Sequence, residues 1–153
     1  MIQRNHSYKA IVSSDWSECL SPCGPFDCIR FTYPDLTDAL TDVFRKYTGN
    51  QMTLGEATGQ IGSLLPQGLS IAQMDTYLDA EFETYNGVAE LIQWCRSQNI
   101  LFMLNSTGMI GYFQRVFARA LLPPVPVLSA HPMIRYPSAE SDPGHVLELF
   151  ETH

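Results

Sequence analysis

The chain has 153 residues, 45% of them hydrophobic and 16% charged, which is typical of a globular domain with a buried core. Its formal net charge is −7, with nine lysines and arginines in total, so the basic surface that nucleic-acid binding requires is missing. No apolar run approaches the roughly 20 residues that span a bilayer, and the polar residues 1–7 are unlike a secretory signal. We therefore expect a cytoplasmic protein that binds neither nucleic acid nor membranes.

The first predicted element is a strand over residues 8–14. Its aromatic and β-branched residues show little alternation, which indicates a buried parallel strand. The run stops at Asp15, and the turn-forming residues 21–25 follow. In open α/β sheets, ligands bind outside the carboxyl ends of the strands. Asp15 is therefore the first candidate for a functional carboxylate.

The middle of the chain is predicted to be helical. Apolar residues at helical spacing predict helices over residues 35–47, 53–65, 70–82 and 87–98.

A second alternation of strand and helix follows. The sequence predicts a buried strand over 100–104, a polar turn, a helix over 109–122, a strand over 125–129, a loop over 131–142 and a helix over 144–152. Phe113 and Phe117, at helical spacing, are expected in the core. This alternation predicts an α/β protein with a parallel sheet.

The order of these features resembles the haloacid dehalogenase-like (HAD) hydrolases that carry a helical cap. In that superfamily a first motif of the form hhhhDxDxT ends one strand, a Ser or Thr ends the next core strand, and a later Lys or Arg and a final acidic pair complete the site. Here a strand ends in Asp15, helices follow, and the next core strand leads into Ser106-Thr107-Gly108. The resemblance implies a Rossmann-like α/β core over residues 1–27 and 86–153, C-terminally incomplete, with an inserted α-helical cap over residues 28–85.

The resemblance also implies roles for single residues. Asp15 would be the nucleophile, because a carboxylate can attack a phosphoryl centre and form an ester that water later resolves. Mg²⁺ would be held by Asp15 and the backbone carbonyl of Ser17, since hard cations favour oxygen ligands. Ser106, with Thr107 as its neighbour, would bind phosphate beside the backbone N–H groups of the following helix. The alternative is that both residues only cap that helix.

The first motif departs from the family pattern. Ser17 stands where the family has a second aspartate, which normally exchanges protons with the leaving group and with water. Phosphonoacetaldehyde hydrolases also lack this aspartate, and their first motif is similar to Asp15-Trp16-Ser17. They use a cap lysine that forms a Schiff base with the substrate. Lys46 is the candidate for that role here, and the alternative is a solvated surface lysine.

The later motifs depart as well. Arg135 is the candidate for the later cation, with a surface arginine as the alternative. Trp16 either lines a substrate pocket or packs under the cap. The final acidic pair has no match before the sequence ends at His153, since Glu140 and Asp142 do not fit the pattern. Either the chain is a piece of a longer hydrolase or its metal site is incomplete.

Two functions remain open at this point. The first is a magnesium-dependent HAD-type hydrolase of the phosphatase or phosphonatase type, acting on a small phosphorylated or phosphonate metabolite. The second is a catalytically impaired HAD-like domain that serves as a ligand- or protein-binding module. The sequence leaves open whether the protein forms a homodimer.

Overall fold

The computed structural model describes residues 6–137 and, through the backbone alone, residues 148–151. Five helices separate the first strand from the second, and a 3-10 turn at Pro34–Leu36 precedes α2. In chain order the elements are β1 (Ala10–Ser14), α1 (Asp27–Thr32), α2 (Thr37–Thr48), α3 (Leu54–Leu64), α4 (Ile71–Glu81), α5 (Val88–Ser97), β2 (Ile100–Met109), α6 (Ile110–Ala118), β3 (Val127–His131) and β4 (Glu148–Glu151).

The described strands form one parallel sheet in the order β1-β2-β3-β4. Ser14 in β1 lies opposite Leu104 in β2, and Leu104 lies opposite Leu128 in β3. The predicted α/β architecture with a parallel sheet is therefore confirmed. Phe113 and Phe117 of α6 are buried as predicted.

The prediction that β1 is a buried strand is wrong. β1 lies at the edge of the described sheet, and the side chain of Ile11 is 64% exposed. The parallel pairing with β2 is as expected. A short apolar run indicates a strand, but burial depends on what covers it, and that information is not local.

Three elements begin or end at residues other than those predicted. The ladder of β2 continues through the predicted polar turn to Met109, with an irregular register between Asn105 and Met109. Helix α6 ends at Ala118, four residues before the predicted end. Strand β3 begins at Val127, because Pro126 has no N–H to donate to a ladder.

The predicted C-terminal helix over residues 144–152 is wrong where it is described. Residues Glu148–Glu151 form β4, which runs parallel to β3 with Val127 opposite Glu148. A short apolar run is ambiguous between helix and strand, and pairing with the edge of β3 decides it here. Residues 138–147 and 152–153, including Glu140, Asp142 and His153, lie outside the described residues.

Helices α1 to α4, the inserted helices, lie between β1 and the crossover helix α5. The chain leaves the sheet and returns to it at one place. There the hydroxyl of Ser21 donates to the carbonyl of Glu83 (2.7 Å), and the N–H of Tyr85 donates to the carbonyl of Leu20 (3.0 Å). The predicted cap boundaries at residues 28 and 85 stay a prediction. In the part of the chain that is described, no helix has the length and apolar character needed to cross a membrane.

Candidate functional site

Asp15 lies directly after β1, at the edge where the carboxyl ends of the parallel strands meet. Its side chain is exposed, and its Oδ1 accepts a hydrogen bond from the N–H of Trp16 (2.6 Å). That bond fixes the orientation of the carboxylate without burying it. The arrangement suits a group that must meet a ligand from solvent.

Trp16 anchors the loop that follows Asp15. Its indole is fully buried, with ring centroids 5.5 Å from Phe113, 6.0 Å from Tyr112 and 6.2 Å from Phe82. Its carbonyl accepts the N–H groups of residues 19, 20 and 21 at 2.9 to 3.2 Å. Of the two alternatives for Trp16, the structure favours packing under the inserted helices over contact with substrate.

Ser17 lines a cavity of about 330 Å³ between the loop after β1 and helices α1, α2 and α3. Thr107, at the end of β2, lines the same cavity. The structure therefore brings together two of the predicted site residues, one from the loop after β1 and one from β2. Asp15 and Ser106 are not among the described residues that line this cavity, although Asp15 is only two positions from Ser17 along the chain.

Ser106 is buried, and its Oγ accepts the N–H of Gly108 (2.9 Å). Helix α6 begins after Met109 without a side-chain cap, so neither Ser106 nor Thr107 caps it. One amide of its first turn, Gly111 N–H, already donates to the carbonyl of Ile134 (2.7 Å). This amide, one of those expected to bind phosphate, is therefore already used in a hydrogen bond within the protein. The hydroxyl proton of Ser106 remains a donor that this arrangement does not use.

Arg135 is exposed and lies in the segment after β3. Its two neighbours hold that segment against α6. The carbonyl of Ile134 accepts from Gly111, and the N–H of Tyr136 donates to Oε1 of Gln114 (2.8 Å). Arg135 is not among the described residues that line the cavity. Its role as the later cation stays a prediction.

Lys46 lies on α2, and its Nζ is 2.6 Å from Oδ2 of Asp42. Its side chain is 41% exposed, and it does not line the cavity, although Phe44, Tyr47 and Thr48 of the same helix do. These observations favour the surface-lysine alternative over a Schiff-base lysine.

The charged residues among the described residues that line the cavity are Glu18, Asp27 and Arg30, and none of them was predicted as a site residue. Asp27 and Arg30 belong to α1, a six-residue helix that was not predicted. Its signal was weak but present, since Pro25 ends the preceding turn and Cys28 and Ile29 form an apolar pair that is fully buried.

Aromatic residues form the rest of the wall. The rings of Phe26 and Phe44 meet edge to face with centroids 5.2 Å apart, and the Arg30 guanidinium lies 5.4 Å from the Phe44 centroid. The cavity therefore combines an apolar wall with a few charged groups, which is typical of small-molecule sites.

Metal ligands are only partly present. Asp15 supplies a carboxylate and Ser17 a backbone carbonyl, and both donor types suit Mg²⁺. Across residues 6–137, no group of three His, Cys, Asp or Glu side chains is placed to hold a metal ion.

Comparison with known proteins supports the fold. No protein-family model matches the chain, and no curated protein matches it. A crystal structure of a HAD family hydrolase from Salmonella enterica subsp. enterica serovar Typhi is similar, with a TM-score of 0.63 and 16% sequence identity. The similarity covers 82% of this chain and 41% of that one. At this identity the similarity concerns the fold, and the chain has the Rossmann-like α/β fold of HAD proteins with inserted helices.

Proposed function

We propose that the protein is a HAD-like hydrolase that cleaves small phosphorylated metabolites with Asp15 as its nucleophile. One observation carries the proposal: within a HAD-like fold, an exposed, oriented carboxylate follows β1, and Ser106 and Thr107 lie at the same edge, near the end of β2. The cavity lined by Ser17 and Thr107 supplies a place for the substrate.

The chemistry follows from these groups. Asp15 attacks the phosphorus atom, and the bond to the leaving oxygen breaks as an aspartyl phosphate forms. The hydroxyls of Ser106 and Thr107 donate hydrogen bonds to the phosphoryl oxygens, which hold the substrate in line with the carboxylate. Water then attacks the phosphorus and restores Asp15.

Mg²⁺ is part of this proposal. The carboxylate of Asp15 and the carbonyl of Ser17 would hold it, with further oxygen ligands from substrate, water or residues beyond those described. When bound, the ion neutralises charge on the phosphoryl group. The N–H groups of residues 19, 20 and 21 donate to the carbonyl of Trp16, and the N–H of Glu18 donates to the carbonyl of Ser21, so none of them uses the carbonyl of Ser17.

A non-catalytic binding domain is the second candidate. Ser17 has no carboxylate with which to exchange protons, and no three-residue metal group is found in the described part of the chain. A cavity with aromatic walls would serve a ligand-binding module equally well.

Turnover with Mg²⁺ on a panel of phosphate monoesters separates the two candidates. Asp15→Asn removes the nucleophile with little change in shape, so we expect loss of turnover in this variant. Asp38→Asn, an exposed aspartate in the first turn of α2, is the matched control and should retain the wild-type rate. Equal trace rates in all three proteins would exclude the hydrolase and favour the binding module.

The phosphonatase type is tested with the same preparation. Incubation with phosphonoacetaldehyde and borohydride should label Lys46 if that residue forms a Schiff base. Because Lys46 is paired with Asp42 and does not line the cavity, we expect no label. A labelled Lys46 would identify a phosphonatase instead of a phosphatase.

A further inference from the structure

The proposed reaction requires a proton donor and a base that Ser17 does not supply. An alkoxide leaving group needs a proton as it departs, and the attacking water must lose one. A serine hydroxyl is not an acid in the neutral pH range. Some other group near Ser17 must therefore carry the proton.

Asp27 lies close to Ser17 because the loop between them folds back on itself. The N–H of Gly24 donates to Oδ2 of Asp27 (2.8 Å). A Cβ atom on Gly24 would lie 3.3 Å from Oγ of Ser17 and 3.7 Å from Oδ2 of Asp27. The Ser17 hydroxyl and the Asp27 carboxylate therefore both lie next to Gly24. Ser17 and Asp27 are at most twelve positions from Asp15 along the chain.

The carboxylate of Asp27 is both held and accessible. Its Oδ1 lies 3.9 Å from Nη1 of Arg30, and the side chain is 43% exposed. Asp27 lines the cavity together with Ser17 and Thr107. Burial raises the pKa of the nearby Cys23 thiol, and the negative charge of Asp27 raises it further.

Glu18 is the competing carboxylate in this cavity. It is exposed, and within residues 6–137 no hydrogen bond or ion pair fixes its side chain. The carboxylate of Asp27 has a backbone donor and a guanidinium partner, so its position is defined before substrate binds. A general acid must lie within hydrogen-bond reach of the leaving oxygen, which favours the oriented group.

We propose that Asp27 is the general acid and base of the Asp15 site, in place of the aspartate that Ser17 replaces. This inference rests on the proposed function. In the first step a carboxylate oxygen of Asp15 bonds to phosphorus, the bond from phosphorus to the leaving oxygen breaks, and protonated Asp27 gives its proton to that oxygen. In the second step Asp27 takes a proton from water, the resulting hydroxide bonds to phosphorus, and the bond from phosphorus to Asp15 breaks. Inorganic phosphate leaves, Asp15 is regenerated, and Asp27 is protonated again.

The test compares leaving-group release in the first turnover for two substrates. 4-Nitrophenyl phosphate has a leaving group that departs without a proton, whereas glycerol 3-phosphate releases an alkoxide that needs one. In Asp27→Asn, release from glycerol 3-phosphate should fall by about 10²- to 10⁴-fold. Release of 4-nitrophenol should fall by less than about tenfold, since this step does not need the acid. The second turnover should then stall, with Asp15 phosphorylated in the intact-mass spectrum.

Controls separate this role from a structural one. Asp38→Asn should behave as wild type on both substrates. Equal losses on both substrates in Asp27→Asn, or no loss on either, would overturn the assignment. If the selective loss occurs in Glu18→Gln and not in Asp27→Asn, Glu18 is the general acid, and the assignment to Asp27 is overturned. If Asp27→Asn does not fold, Asp27→Glu replaces it. Displacement of the acid by one methylene should lower the ratio of alkyl to aryl release by at least about tenfold, and an unchanged ratio would overturn the proposal.

Failure of the proposed function has a different signature. Wild-type protein that shows no Asp15-dependent release from either substrate excludes the hydrolase, and the role of Asp27 falls with it. Wild-type activity that depends on Asp15 but not on Asp27 excludes the role of Asp27 alone.

Discussion

Gly108 has no side chain, which allows the end of β2 to pack closely against the loop before α1. A Cβ atom at this position would lie 2.4 Å from Cγ of Pro25 and 2.7 Å from its Cβ. Pro25 belongs to the loop that leads into α1 and Asp27, so the close approach of Gly108 sets the distance between that loop and the end of β2. We predict that Gly108→Ala lowers the free energy of unfolding by about 1–3 kcal/mol, because neither backbone nor proline ring can move aside cheaply.

Gly59 is the matched control for this substitution. It lies inside α3, and nothing lies within 4 Å of a Cβ atom placed there. Gly59→Ala should raise the free energy of unfolding by about 0.5–1 kcal/mol, since alanine loses less backbone entropy in a helix. Urea titration of both variants measures the difference. A Gly108→Ala variant as stable as Gly59→Ala would contradict the close packing at Pro25.

Residues that follow a strand were easier to predict than residues that come together through a loop. Asp15 could be placed at the end of β1, and Thr107 near the end of β2, because the end of an apolar run can be recognised locally. Asp27 could not, since its relation to Ser17 depends on the fold-back at Gly24 and on the approach of Pro25 to Gly108. The burial of Trp16 depends on Phe82 and Phe113, which lie 66 or more residues away and leave no mark on the local pattern.

An ion pair joins α4, one of the inserted helices, to α6, the helix that follows β2. Nε and Nη2 of Arg115 donate to the two carboxylate oxygens of Asp75 at 2.8 and 2.9 Å. Their side chains are only 13% and 22% exposed, so solvent screens the pair weakly. The carboxylate also raises the pKa of Arg115. We predict that Asp75→Asn lowers the free energy of unfolding by about 1.5–3 kcal/mol.

The exposed pair within α2 provides the comparison. Asp42 also contacts a lysine and an arginine, and these hold its pKa below the ordinary value, but its side chain faces solvent. Asp42→Asn should therefore leave the unfolding free energy nearly unchanged. Thermal unfolding of the two variants by circular dichroism gives the measurement. Equal losses of stability in the two variants would mean that the ion pair between α4 and α6 stabilises the fold no more than the exposed pair in α2 does.

Elements with long amphipathic patterns were predicted well, and short ones were not. α3 and α4 lie within their predicted ranges, and each begins with a capping box, at Thr53 with Glu56 and at Ser70 with Gln73. β4 was mistaken for a helix, because four residues do not carry enough periodicity to decide between the two. Its partner β3 decides, and strand pairing is not visible in the sequence of β4 itself.

At the scale of the whole molecule, buried tyrosines make the fold sensitive to alkaline pH. Burial raises the pKa of Tyr77, Tyr112 and Tyr136. A pKa raised in the folded state stabilises the fold below the unfolded value of about 10, and this stabilisation is lost as the pH rises further. We predict that stability falls steeply above about pH 10 and that tyrosinate absorbance from these residues appears together with unfolding.

Tyr77→Phe tests the origin of this effect. The hydroxyl of Tyr77 has no hydrogen-bond partner among the described residues, so its removal keeps the ring packing and deletes one titrating group. The variant should lose less stability than wild type above about pH 10. Urea unfolding at a series of alkaline pH values measures the slope, and identical slopes would contradict the assignment.

The paired hydrogen bonds at Ser21 and Tyr85 have a consequence for how such a protein can change over evolution. They bring the exit and the return of the inserted helices to adjacent points, one bond from Ser21 to Glu83 and one from Tyr85 to Leu20. A segment whose two ends meet can be lengthened, shortened or exchanged without rerouting the strands. Asp15 comes before this junction and Thr107 after it, whereas the apolar wall of the cavity lies inside it. Asp27 lies inside it as well. Under the proposed function, replacement of this one continuous stretch would therefore change the apolar wall and the proposed proton donor together, while Asp15 is inherited unchanged.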